Sequence, residues 1–150
     1  MKRIVIYMLA LISAILAPLE GTDVGKLRPA ELVQLYREGD KVVIVTDTGD
    51  SGIGETASAA LKNLEETASG VIFLDTADYV LVDESAESEV GAMRAYLKPS
   101  VRICSARRSI DLRKAAEHLS AHRPKIKLKD YTGIKELEKL TVENGRLILK

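Results

Sequence analysis

The sequence predicts a mixed α/β fold of the α+β class. A small mixed sheet is covered by helices in a single sandwich, and an N-terminal signal or anchor helix precedes it. Three observations carry this prediction. The 150 residues are 46% hydrophobic and 29% charged, which is one domain's worth of chain with a core and a solvated surface. Beyond residue 30, β-branched runs alternate with stretches whose apolar residues recur at helical spacing. Ahead of that region, a basic start leads into a long uncharged run. The chain therefore divides into a leader over 1–21, a linker over 22–30 and one domain over 31–150, with no internal repeat.

The leader is Met1-Lys2-Arg3 followed by 14 residues without a charge, Ile4 to Ala17. A basic start before an apolar stretch of about 7–15 residues is the make-up of a secretory signal. A full helical span needs about 20 apolar residues. Ser13, Ala14 and Ala17 are small enough for cleavage, whereas Pro18 disfavours the site after Ala17. A cleaved signal and an uncleaved, tilted anchor both remain open. No cysteine adjoins the run, so lipoprotein attachment is excluded. Lys2 and Arg3 belong on the cytoplasmic side, so the domain is expected outside the cytoplasm, secreted or anchored by an N-terminal helix.

The elements follow in order. Residues 22–30 mix Gly, Pro and charges, as linkers do. Glu31 to Arg37 admits either strand or helix. The β-branched run Lys41 to Thr46 favours pairing the two as a hairpin with a three-residue turn at 38–40. Gly49 to Gly54 reads as a glycine-rich turn from strand to helix, and Ala57, Ala60, Leu61, Leu64 and Ala68 share one helix face that Gly70 ends. Val71 to Leu74 reads as a buried strand, Asp75 to Asp78 as a turn and Tyr79 to Val82 as another strand. Ser85 is the expected cap of a helix presenting Val90, Met93, Tyr96 and Leu97, stopped by Pro99. Val101 to Cys104 alternates like a strand, and Ser109 is the expected cap of a helix with Leu112, Ala115, Ala116 and Leu119 on one face. A basic connector over 123–131, a short helix through Ile134, Leu137 and Leu140, and a hairpin about Asn144-Gly145 complete the chain.

Charge and rare residues narrow the function. The formal net charge of zero hides an asymmetry. Residues 1–97 hold 8 Lys and Arg against 16 Asp and Glu, and residues 98–150 hold 14 against 6. The halves can balance each other, or the basic third can dock an anionic partner. Its candidate docking residues are Arg107, Arg108, Arg113, Lys114, Arg123, Lys125, Lys127 and Lys129. Anionic membrane, wall polymer or an acidic protein are the matching partners. With no Trp and 4% aromatics, base stacking on nucleic acid is not expected. The single Cys104 excludes an internal disulfide and any all-cysteine metal site; it reads as a small buried apolar residue.

Several motifs are false friends. Asp47-Thr48-Gly49 after an apolar strand resembles the catalytic triplet of aspartic peptidases. Those sites share one proton between two carboxylates, and Asp50 would set a further charge beside them. Gly49-Asp50-Ser51-Gly52 resembles the serine motif of trypsin-like peptidases, but His118 and His122 lie downstream of the serine. Gly49 to Thr56 has phosphate-loop spacing, yet Glu55 stands where the phosphate-binding lysine is needed. Glu55, Asp47 and Asp50 make the segment anionic, and at ~4 Å two like charges repel by about 1 kcal/mol even in water. The ordinary reading is a turn whose glycines give conformational freedom and whose acids suit a helix start. The functional rival is a ligand or calcium site on Asp47, Gly49, Asp50, Ser51, Gly52 and Gly54, although the spacing is not that of an EF-hand. His118 and His122, four residues apart, could join Cys104 on zinc, but no Glu follows His118 and Pro124 closes the helix soon after. No metal or cofactor is expected.

The stretch TDTGDSGIGETASAALKNLEETASGVIFLDTADYVLV, residues 46–82, resembles uncharacterised small secreted proteins of spore-forming Firmicutes. More loosely, the order of elements is similar to the N-terminal domain of spore germinant receptor C subunits. The matching positions are Gly54-Glu55-Thr56, Ala60-Leu61 with Leu64, Ile72-Phe73-Leu74 and Tyr79 to Val82. The resemblance implies a hairpin, helix and strand succession and an envelope role connected with sporulation. It carries over no catalytic residue.

The expected function is therefore a non-enzymatic, extracytoplasmic accessory, assembly or interaction domain of the cell envelope. The alternatives are a secreted hydrolase using Asp47 with Asp50 or Asp75 with Asp78, and a small-ligand or calcium binder at Gly49–Gly54.

Overall fold

The structure is a computed structural model that describes residues 26–150. The leader, and with it the signal or anchor expectation, lies outside the described residues. Among the described residues, no helix is long and apolar enough to cross a membrane.

Among the described residues, nine strands and three α-helices alternate along the chain. The strands are β1 (Leu27–Pro29), β2 (Leu32–Glu38), β3 (Lys41–Thr46), β4 (Ser51–Gly54), β5 (Val71–Phe73), β6 (Tyr79–Val82), β7 (Arg102–Ala106), β8 (Lys139–Glu143) and β9 (Arg146–Leu149). The helices are α1 (Ala57–Thr67), α2 (Val90–Met93) and α3 (Leu112–Ala121). Seven strands form one sheet in the order β4-β3-β2-β6-β7-β8-β9, and β1 pairs with β5 in a separate parallel ribbon. In the large sheet β2, β6, β7 and β8 run parallel, while β3, β4 and β9 are added antiparallel at the flanks. The mixed α/β class read from the sequence is the class observed.

The layering follows from side-chain alternation. Every residue of β6 is buried. Val80 and Val82 enter a core with α1 and α2 on one face of the sheet, and Tyr79 and Leu81 enter a core with α3 on the other. A strand buried on both faces reads as a continuous apolar run, which is what Tyr79 to Val82 is. The α1 face contributes Ala57, Ala60, Leu61 and Leu64, and the α3 face Ala115, Ala116 and Leu119. These positions match the spacing read from the sequence, but α1 ends at Thr67, which puts the expected Ala68 at the cap, and Leu112 of the expected α3 face is only half-buried.

Several boundaries differ from expectation. The first hairpin has a two-residue turn, because Glu38 pairs with Lys41 and Gly39 takes φ +60°. Gly49–Gly54 is not a loop. The turn is confined to 47–50, and Ser51–Gly54 is an edge strand antiparallel to β3. Its glycines serve close packing. A Cβ on Gly52 would lie 2.1 Å from the Ala60 carbonyl oxygen, and one on Gly54 would lie 2.4 Å from the Ala60 nitrogen. The α1 backbone thus rests directly on the strand.

Part of the expected linker is β1. The expected buried strand after α1 is β5, whose alternation leaves Val71 and Phe73 exposed and buries Ile72. The helix expected after Ser85 is a 3-10 segment, Glu84–Glu89, running into the four-residue α2, and its cap is Asp83. Of its expected face, Val90, Met93 and Leu97 are buried and Tyr96 is exposed. Asp111, not Ser109, caps α3 by accepting from the Arg113 and Lys114 amides. The short helix expected at 134–140 is a 3-10 turn, Ile134–Glu136, followed by β8. The closing hairpin forms as read, with Asn144 and Gly145 both at positive φ as a type I′ turn requires.

Candidate functional site

The registers of the large sheet create a notch at its carboxyl edge. The last β2–β6 pair is Leu35 with Val82, yet β2 continues to Glu38. The last β7–β8 pair is Ala106 with Leu140, yet β8 continues to Glu143. The two central strands therefore stop short between two projecting hairpins. The chain leaves β6 for the α2 face and leaves β7 for the α3 face. Such divergence opens a crevice beyond the carboxyl ends of parallel strands, the usual place for ligands in α/β sheets. Here the crevice is a cleft of about 140 Å3 lined by Val82, Asp83, Glu84, Ser105, Ala106, Arg107 and Lys139. A wider cleft of about 480 Å3, running along β8 past Ile110 and Val142, shares Arg107 and Lys139 with it.

Each wall is held locally. Gln34 projects from the middle of β2, is only 2% exposed, and donates from Nε2 to the Arg107 carbonyl at 3.0 Å. This bond fixes the loop after β7. The Asp83 carboxylate accepts from the Ser85 amide at 3.0 Å and its hydroxyl at 2.6 Å, starting the 3-10 segment. Glu84 faces Lys139 at 3.6 Å, a loose pair with both side chains well exposed. Arg108 reaches Glu38 on the β2–β3 tip at 3.5 Å. The Arg107 guanidinium is exposed and has no hydrogen-bond or ion-pair partner among the described residues. Sequence reading placed Arg107 in a basic tract but missed Gln34, Ser105, Asp83, Glu84 and Lys139. The signal in the sequence was a glutamine between Val33 and Leu35, in the buried half of β2.

The acidic glycine segment lies at the opposite, amino edge. The Asp47 carboxylate accepts from the Glu31 and Leu32 amides at 3.1 and 3.2 Å and so anchors the start of β2. Asp50 pairs with Arg28 at 3.1 Å and accepts from the Thr48 hydroxyl at 2.7 Å. Gly49 sits in the turn, and Ser51, Gly52 and Gly54 belong to β4 under α1. These contacts give each of the six candidate ligand residues a structural task. Of the second carboxylate pair, Asp78 binds Lys98 at 2.7 Å, and Asp75 and Asp78 are both exposed.

The eight basic docking candidates do not form one face. Arg107 and Arg108, with Arg113 and Lys114 at the start of α3, lie toward the carboxyl edge. Arg123 lines a cleft with Asp78 and Arg102 at the amino edge, where Lys125 and Lys127 follow it. Lys129 borders an apolar cleft with Arg94 and Leu97 on the α2 face. Two of the eight are tied to acids of the same chain besides Arg108: Lys114 to Asp111 and Lys125 to Glu138.

His118 and His122 stack with ring centroids 4.5 Å apart. Burial, and then the neighbouring His122, lower the His118 pKa, and its Nε2 is buried without a partner. Cys104 is fully buried in the α3-side core. Burial, reinforced by the Glu138 charge, pushes its thiol up to about 12, so it is an inert core thiol. Among the described residues, no three His, Cys, Asp or Glu side chains are grouped to hold a metal ion.

These features define a mixed α/β domain with a polar notch at the carboxyl edge of its parallel strands. Comparison with protein-family models, with curated proteins and with solved structures finds no match to this chain.

Proposed function

We propose that this chain is a non-enzymatic interaction domain of the cell envelope, and that it recognises a carboxylate-bearing partner at the carboxyl-edge notch. The observation that carries this reading is Arg107. It is an exposed guanidinium without a partner among the described residues, at the mouth of a cleft formed where strand connections diverge. A guanidinium fork binds a carboxylate through two parallel hydrogen bonds, and Lys139 adds a second cation once its loose contact with Glu84 opens. Arg108, Arg113 and Lys114 raise the positive potential at the same end. The acids Asp83 and Glu84 on the opposite wall favour a segment that carries donors beside its carboxylate. The envelope assignment rests on the basic start and the apolar run Ile4 to Ala17.

The paired-carboxylate hydrolase is not favoured. Asp47 and Asp50 are occupied by backbone amides, a guanidinium and a hydroxyl, and they lie away from the cleft.

The test is titration of the full-length chain with an acidic peptide followed by calorimetry. Arg107→Ala is expected to weaken binding by roughly tenfold or more, as loss of a charge-assisted pair of about 1.5–3 kcal/mol does. Arg123→Ala, at the other end of the sheet, is expected to leave it unchanged. Rising salt is expected to weaken the wild-type interaction. Equal binding by Arg107→Ala and wild type refutes the notch as the recognition site.

A further inference from the structure

We propose that the amino edge of the domain is a lipid-facing surface: Val71 and Phe73 sit among the headgroups of an anionic bilayer and the notch points away from it. This rests on the envelope reading above, in which the apolar leader enters the bilayer.

Four observations on the domain itself support it. First, β5 exposes two large apolar side chains in the same direction. Val71 is 48% and Phe73 40% exposed, while Ile72 between them is buried in the core. Residues two apart on a strand share a side, so these two present one apolar foot. Second, the foot is firmly mounted. β5 pairs in register with β1, Leu27 with Val71 and Pro29 with Phe73, and a Cβ on Gly70 would lie 2.4 Å from the Lys26 carbonyl oxygen.

Third, β1 is the first described strand after the leader. Ala17 and Leu27 are ten residues apart, which spans at most about 35 Å of extended chain. The strand that pairs with the foot is thus joined to the apolar run by a short stretch of sequence. Fourth, the same edge carries cations suited to anionic headgroups. Lys26 and Arg123 are exposed and have no ion-pair partner among the described residues. Of the acids at this edge, Asp78 is paired with Lys98 and Asp50 with Arg28, the Asp47 carboxylate is held by backbone amides, and Glu31 and Asp75 are exposed.

An aromatic ring with a neighbouring aliphatic side chain and nearby cations is the composition of an interfacial contact. The two ends of the sheet then divide the work. The β1–β5 ribbon borders the start of β2, because the Ala30 amide donates to the Phe73 carbonyl. The notch lies at the opposite ends of the parallel strands. Seating the foot on lipid turns Arg107 outward toward a partner.

The chain has no tryptophan, so a single substitution supplies a clean reporter. Full-length Phe73→Trp, and separately Val71→Trp, is reconstituted into vesicles of phosphatidylcholine and phosphatidylglycerol. Val142→Trp, 56% exposed on β8 beside the notch, is the reference. The expected result is that all three float with the vesicles. The emission of Phe73→Trp and Val71→Trp shifts to the blue and is quenched by brominated lipid, while that of Val142→Trp stays red and unquenched. Flotation with both foot reporters unquenched overturns the lipid contact and leaves the anchoring intact. A blue shift that grows with protein concentration and ignores brominated lipid assigns the foot to a second copy of the chain and also overturns it. Failure to float overturns the anchoring and the lipid contact together.

Discussion

At the scale of single residues, two glycines and a glutamine serve packing and support rather than motif chemistry. Gly52 and Gly54 stand in a segment that mimics a phosphate loop, yet the space above them is filled by the α1 backbone at Ala60 and Leu64. Nothing flexible can retreat from a new methyl group there. Gly52→Ala is expected to destabilise the domain by about 1–3 kcal/mol, the usual range for overpacking, as read from urea denaturation midpoints. Gly91→Ala is the control, because a Cβ at Gly91 meets nothing within 4 Å, and its stability is expected to be equal or higher. Gln34 works in the opposite sense. It is a buried polar group kept because its amide holds the Arg107 carbonyl and with it one side of the notch.

At the scale of elements, the helical faces were legible and the caps were not. Leu61 and Leu64 of α1 and Leu119 of α3 are buried as their spacing implied. A helix start depends on which nearby oxygen reaches the free amides, and several candidates commonly crowd one turn. Before α3, Ser109 and Asp111 both qualify by residue type, and only Asp111 accepts from the Arg113 and Lys114 amides, at 3.1 and 3.2 Å. Asp111→Ala is therefore expected to cost about 0.5–2 kcal/mol and Ser109→Ala nothing measurable in thermal unfolding. The separation of β5 from the main sheet belongs to this scale too. The run Val71 to Leu74 has the composition of a buried strand, but β1 offers it only a two-stranded ribbon, and the domain leaves Val71 and Phe73 uncovered.

At the scale of the whole molecule, a pH response follows from the packing of α3 against the terminal hairpin. His118 and His122 line a cleft with Arg123, Glu138 and the β9 residues Leu147 to Leu149. Burial and then His122 hold the His118 pKa below its ordinary 6.5. The unfolded chain thus binds this proton more readily than the folded one, so stability rises with pH across that window. The contribution is complete above pH 6.5 and is lost as the pH falls through the lowered folded value. Denaturant midpoints measured from pH 7.5 down to pH 5 are expected to fall, and His118→Gln is expected to flatten that slope. An unchanged slope in the variant would show that other groups govern it.

The sequence by itself determined the mixed class, the faces of α1 and α3, the buried run of β6, the two-residue turn at Asn144-Gly145 and the burial of Cys104. These are local periodicities or backbone requirements, written over a few consecutive residues. Only the tertiary structure decided where the candidate site lies. The notch is built from Gln34, Asp83, Glu84, Ser105, Arg107 and Lys139, drawn from four strands or their ends. It exists because β6 and β7 end before their neighbours do, and pairing registers between distant strands leave no signature in either strand. The same physics set the partners of the acids in the glycine motif. Asp47 and Asp50 are spent on the amides and guanidinium that chain folding brings to them, and no spacing rule could foresee those partners.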